Sequence, residues 1–141
     1  MNLYEDARFL YIGTTKTSQP LAIPFPSIGQ GAFETVRVVD AGRNANGAVV
    51  GQQIGRSMDK QNMGWTAISC EKWWEINNWF ETNGMFFYCR YFSHNTGQWR
   101  TRKFYVSDVK CEPYMVNPAT GIPREYHNAT FNVVDTAWED A

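Results

Sequence analysis

"MFFYCRYFSHNTGQWRTRKFYV", Met85 to Val106, consists of two aromatic-rich runs around a loop, "SHNTGQ", whose Ser, Asn and Gly are turn chemistry. Two such runs on either side of such a loop read as a β-hairpin. Strand side chains alternate, so Met85, Phe87, Cys89 and Tyr91 share one face, and Phe86, Tyr88, Arg90 and Phe92 the other. Both faces are apolar enough to need cover. The hairpin therefore belongs to a β-rich domain whose remaining segments must supply that cover.

One source of cover is a helix. "SCEKWWEINNWFETNG", Ser69 to Gly84, starts with a good N-cap, carries Glu71 where the helix dipole favours an anion, and ends on a glycine suited to stopping it. Ile68 and Trp73 are spaced as a hydrophobic staple. Trp73, Ile76 and Phe80 fall at i, i+3 and i+7, with Trp79 on the flank, which predicts a core-facing stripe on a helix over about 69–82.

Ala7 to Gly13 read as a short strand, and "SQPLAIPFPSIGQGAF" follows with prolines at 20, 24 and 26. Proline lacks a donor and restricts its neighbour, so residues 14–33 read as an extended arm or edge connection. Its Leu21, Ile23, Phe25, Ile28 and Phe33 need cover, either across the domain or across a subunit boundary. Residues 34–65 read as a long hairpin and a following strand: "ETVRVVD", a two-residue turn at Asn46-Gly47, "AVVGQQIG" returning, then "SMDKQNMGW". Beyond the second hairpin come "VSDVKCEPY", a Pro/Gly loop "VNPATGIP", an alternating strand around "REYHNATFNVV" and an acidic tail, 135–141, expected to be mobile. The sum is one α+β, mainly β domain over 1–141, an antiparallel β-sandwich or partly open barrel with one flanking helix.

"DAGRNANGAVVGQQIGR", Asp40 to Arg56, places glycines at 42, 47, 51 and 55. A phosphate-cradling loop would need Lys and Ser or Thr where Ala48 and Val49 stand. A membrane helix would need about twenty apolar residues, and Gln52, Gln53 and Arg56 interrupt. As a strand, the segment sets Gly47, Gly51 and Gly55 on one nearly bare face. Two readings follow: a twisted hairpin packed on its own domain, or a strand that receives a neighbouring subunit.

Overall charge selects no partner, since 13 basic and 14 acidic residues leave a formal net charge of −1. The three cysteines, Cys70, Cys89 and Cys111, are too widely spaced for a zinc ribbon and odd in number, so they read as small buried hydrophobes in a reducing cytosol. "MNLYEDARFLYIG" has acids where an export signal would carry bases. His94 and His127 lack a partner at ligand or nucleophile spacing and read as surface histidines. No nucleophile, zinc or dinucleotide motif occurs, and sequence singles out no pair among Glu34, Asp40, Asp59 and Asp108 as a catalytic dyad. No catalytic residue, metal or cofactor is therefore expected. Arg90, Arg100, Arg102 and Lys103 make the second hairpin locally basic, which suits either a solvated face or pairing with an acidic surface on a neighbouring copy.

"VVDAGRNANGAVVGQQIGRSMDKQNMGW", ending at Trp65, then a Trp-rich helix, then "RKFYVSD", resembles structural proteins of tailed phages and prophages of Gram-positive bacteria. Arg43, Asn44, Gly47, Gly51, Lys60, Trp65 and Tyr105 carry the likeness, which spans about residues 34 to 110. The resemblance implies a non-enzymatic virion protein of the tail (tube, distal tail or baseplate, or connector), made in the host cytoplasm and assembling into rings through hairpins and arms. Its partners would be copies of itself and other tail proteins, with no membrane and no sequence-specific nucleic acid, although DNA could pass through a lumen. The residues expected at the assembly interface are Arg43, Asn44, Gly47, Gly51, Gly55, Pro24, Phe25, Arg100 and Arg102. The alternative is a carbohydrate-binding β-sandwich in which Trp74, Trp99 or Tyr91 stacks on sugars. A small hydrolase built on a hidden carboxylate pair comes third.

Overall fold

The computed structural model describes residues 8–37, 39–43, 49–53 and 55–137. Among them the chain forms β1 (Leu10–Gly13), β2 (Leu21–Ile23), β3 (Phe33–Val36), β4 (Val39–Arg43), β5 (Val49–Gln53) and β6 (Met58–Ser69). Helix α1 (Cys70–Asn83) follows, then β7 (Phe86–Ser93), β8 (Gln98–Val106), β9 (Lys110–Tyr114) and β10 (Glu125–Asp135). Eight strands make one open antiparallel sheet in the order β2-β1-β7-β8-β10-β6-β3, with β9 added to β10. β4 and β5 form a separate two-stranded sheet. The domain is thus mainly β with one flanking helix, as expected. Its core strands belong to a single sheet, so the sandwich alternative does not hold.

That sheet covers its own inner face by curling. Tyr91 on β7 donates its hydroxyl proton to the Asp59 carboxylate on β6, and the Phe33 ring of β3 lies 6.2 Å from the Tyr91 ring. On a flat sheet β7 and β6 would stand about 14 Å apart, three strand spacings. Only a strongly curved sheet brings these side chains together. The inner face is set by alternation: Leu10, Ile12, Met63, Phe87, Cys89, Phe104, Phe131 and Val133 are all buried. In β10, Asn128 adopts φ 49° where the pairing with β9 shifts register between His127 and Thr130, a bulge that bends the strand.

Helix α1 closes the inner face. The Ser69 side chain accepts from the Lys72 amide, and the Gly84 amide donates to the Phe80 carbonyl at φ 86°. Trp73, Ile76 and Phe80 are buried, as their spacing required. Trp73 meets Trp65 at 5.9 Å and Phe131 at 6.1 Å, while Phe80 meets Phe131 and Phe87, both at 5.5 Å. Cys70 and Cys89 are buried as expected, and Cys111 is half-buried.

The proline segment packs across its own domain. Trp65 Nε1 donates to the Phe25 carbonyl at 2.8 Å, the Ser27 amide to Gly64 O at 2.8 Å and the Asn62 amide to Ala32 O at 2.9 Å. These bonds continue the β3 position along β6. Gly64 eases the crossing, since a Cβ there would lie 3.1 Å from Gln30 Cβ and 3.3 Å from Thr130 Cγ2.

The turn expected at Asn46-Gly47 lies outside the described residues. One further expectation is corrected. Asp135 is no part of a solvated tail: it ends β10 with its side chain buried, because β10 continues that far against β8. Residues 138–141 lie outside the described part.

Candidate functional site

Alternation along β8 divides the basic hairpin. Arg100, Arg102 and Phe104 lie on the inner side, whereas Trp99, Thr101, Lys103 and Tyr105 lie on the outer side. At one end of the inner face Arg100 Nη1 is 3.2 Å from Asp59 Oδ2, and Arg102 Nη1 lies between Asp59 Oδ2 at 3.4 Å and Asp135 Oδ2 at 3.2 Å. Arg56 grips Asp135 with both terminal nitrogens, at 2.5 and 2.9 Å. Thr35 Oγ1 donates to Asp59 at 3.0 Å, and the Tyr91 hydroxyl donates to the same carboxylate. Both carboxylates have 0% side-chain exposure.

Burial, then the hydrogen bond and charge of Asp59, push the Tyr91 phenol well above its usual range and keep it a neutral donor. Burial also raises the Cys89 thiol, which keeps it protonated and inert. Two carboxylates saturated by three guanidiniums and sealed from solvent fit a structural ion-pair cluster better than acid–base exchange. Among the acids weighed from sequence Asp59 takes part, with Asp135 as its companion; the Asp40 side chain lies outside what is described. Arg100 and Arg102, expected at an assembly interface or on a solvated face, are half-buried and ion-paired to Asp59 and Asp135 of their own domain, because their parity on β8 turns them inward.

The other interface residues separate. Pro24 is buried, Phe25 is 43% exposed, and Ile28 beside it is 98% exposed at a turn over a shallow depression of about 430 Å³ lined by Pro26, Ser27, Gly29, Gly31 and Ala32. Gly51 is exposed on β5, and Gly55 has φ +70°. Arg43 ends β4, but its side chain, with Asn44 and Gly47, lies outside what is described. Sequence reasoning took the β9–β10 connection as a Pro/Gly loop without functional weight, yet Met115, Val116 and Ile122 in it are 45–60% exposed and Tyr114, which ends β9, is 42% exposed. This loop is internally organised: the Asn117 amide donates to Ile122 O, the Gly121 amide to Asn117 O and the Arg124 amide to Tyr114 O. Its signal was available in "YMVNPATGIP", a turn-rich stretch with too many apolar residues for a plain surface loop.

The outer face of β7 and β8 is a ladder of rings and cations. Phe86 faces Tyr105 at 6.3 Å, Lys103 lies over Tyr88 at 5.8 Å, and Arg90 lies over Trp99 at 5.2 Å, with Tyr11 of β1 alongside. The aromatics proposed for sugar stacking do not converge. Tyr91 is buried, Trp99 belongs to the outer face, and Trp74 is on α1 beyond the inner face, donating to the Tyr126 hydroxyl at 3.0 Å. His94 is exposed and flanked by Phe9, Phe33 and Phe92, and His127 stacks on Tyr114 at 4.2 Å.

Among the described residues no helix is long and apolar enough to cross a membrane, and no cluster of three or more His, Cys, Asp or Glu is placed to hold a metal. No protein-family model matches the chain, and a search of curated proteins finds no match.

Proposed function

We propose that this chain is a non-enzymatic structural protein of a phage tail that assembles into rings with copies of itself, the β4–β5 ribbon being the element that meets a neighbour. The ribbon's separation from the main sheet carries this reading. A two-stranded ribbon is marginal in water without a third strand or a packed face, and β4 and β5 pair with no other described strand. Other exposed edges are blunted in ways that discourage pairing. β2 has three residues between Pro20 and Pro24, β3 has four with the charged Glu34 among them, and β9 contains Pro113 with Lys110 and Glu112. β5, "VVGQQ", has neither proline nor charge and is the edge best suited to accept a strand from outside. Ring formation needs such a heterologous contact, one patch meeting a different patch on the next copy.

The test is light scattering over a concentration series with electron microscopy of the same samples, on the natural chain and on Gly51→Lys. The natural chain is expected to form rings or tubes of uniform diameter, and Gly51→Lys, which adds a charge and fills the bare face, to raise the concentration for assembly at least about tenfold. A natural chain that stays monomeric at high concentration refutes the proposal.

A further inference from the structure

We infer that Arg56, gripped by Asp135, is the positioning residue of the ribbon: the pair fixes the point at which the ribbon rejoins the sheet, and assembly through β5 depends on it. The inference rests on the self-assembly reading and adds to it the device that aims the ribbon.

The chain enters the ribbon after β3 ends at Val36 and returns to the main sheet between Gln53 and Met58. Gly55 in that return has φ +70°, a conformation open to glycine and rarely adopted by other residues. Glycine allows such a turn but does not enforce it, since it populates many conformations. Enforcement comes from the two residues that follow. Arg56 donates from both terminal nitrogens to Asp135, at 2.5 and 2.9 Å, and from Nη1 to the Ser57 carbonyl at 3.0 Å. Arg102 on β8 reaches the same carbonyl at 3.3 Å and the same carboxylate at 3.2 Å.

Asp135 is thereby a joint. It is the last residue of β10, its side chain is sealed from solvent, and it also accepts the amides of Asp59 at 3.3 Å and Ala137 at 2.9 Å. The return of the ribbon, the start of β6 and the end of β10 share one carboxylate. A bidentate guanidinium–carboxylate pair fixes direction as well as distance, which a point charge does not. The other buried acid supplies the contrast. Asp59 is held by Arg100 and Arg102 of β8, Thr35 of β3 and Tyr91 of β7, so it ties the main sheet to itself. A cluster that served stability alone could draw every guanidinium from the sheet, as Asp59 does; Asp135 takes one from the connection to the ribbon. β4 and β5 pair with no other described strand, so the direction of the ribbon depends on its connections. A ribbon aimed in advance loses less freedom when a neighbour binds it, which lowers the concentration needed for assembly.

The test measures assembly concentration by light scattering and stability by urea titration, on the full natural chain and on Arg56→Met, Asp135→Asn, their double variant and Asp59→Asn. Arg56→Met and Asp135→Asn should each need at least about tenfold more protein to assemble, and the double variant no more than either, because a single contact is lost in all three. Asp59→Asn, which removes the other buried acid, should lose stability as Asp135→Asn does, yet assemble within about threefold of the natural concentration. Below the assembly concentration, amide exchange in residues 49–53 should quicken in Arg56→Met and not in Asp59→Asn. The inference falls if assembly concentration simply follows stability across the variants, if Arg56→Met assembles as readily as the natural chain, or if its exchange is unchanged; the ribbon reading then stands as long as Gly51→Lys impairs assembly. A natural chain that never assembles overturns both. Should Arg56→Met fail to fold, Arg56→Lys replaces it: the ammonium keeps the charge but cannot grip both oxygens, and assembly must still demand severalfold more protein while the urea midpoint stays close to the natural one.

Discussion

Asp135 is held as a carboxylate although its side chain is fully buried. Burial alone would push its carboxyl up, but the hydrogen bond from Arg56, the amide of Ala137, the Arg56 charge and the amide of Asp59 together hold it below its ordinary value of 3.8. A carboxyl whose folded value is lowered stabilises the fold above its unfolded value of about 3.9, and that contribution is lost as pH falls through the folded value. Thermal melts should therefore show a midpoint that Asp135 leaves flat above about pH 5 and drags down below about pH 4. In Asp135→Asn the acid fall should be shallower, and neutral-pH stability lower by about 3 kcal/mol by urea titration. The value lies at the low end for a broken buried pair because Arg56 and Arg102 keep 19% and 20% exposure and can turn toward water. Equal acid slopes in the two proteins would mean that this pair does not set the acid limit.

At the scale of elements, the β1–β2 connection is held by close approach of backbone. A Cβ on Gly13 would lie 2.1 Å from the Ser18 carbonyl oxygen and 2.6 Å from Gln19 Cα, and neither atom belongs to a side chain that could swing away. Gly13→Ala should cost about 1–3 kcal/mol by denaturant unfolding, as overpacking does, and should loosen β2, whose Leu21 and Ile23 are core. An unchanged midpoint would show that the turn at Thr15–Ser18 yields freely. Much at this scale was legible in the chain. The helix and its caps followed from Ser69, Gly84 and the Trp73, Ile76, Phe80 spacing, and the β7–β8 hairpin followed from its alternation. β2 was not legible, because Pro20 and Pro24 on either side disguise a three-residue edge strand as a connection.

For the whole molecule, the division into an eight-stranded sheet and a separate ribbon has an energetic consequence. If β4 and β5 add nothing to the main sheet, replacing residues 40–52 by a short turn should leave the thermal midpoint within a few degrees of the natural chain's while abolishing assembly. A large loss of stability would instead make the ribbon part of the domain core. The charged cluster also belongs to this scale. Asp59, Asp135, Arg56, Arg100, Arg102 and Tyr91 come from β6, β10, the segment before β6, β8 and β7, and no local pattern links them. Curling of the sheet gathers them, and the same curling turns Arg100 and Arg102 toward the two buried acids, their side chains keeping 18% and 20% exposure.

By itself the sequence determined what depends on near neighbours: a mainly β domain with one capped, Trp-rich helix, the two faces of the β7–β8 hairpin and the weak, glycine-rich ribbon. Periodicity and caps act over a few residues, so one chain read alone contains them. Tertiary structure alone decided that the main sheet is single and curled, that two buried acids and three arginines meet within it, and that β4 and β5 pair with each other and with no other described strand. Those outcomes depend on which strands become neighbours, and strand pairing over long separations is set by the packing of the whole inner face, which no short stretch encodes.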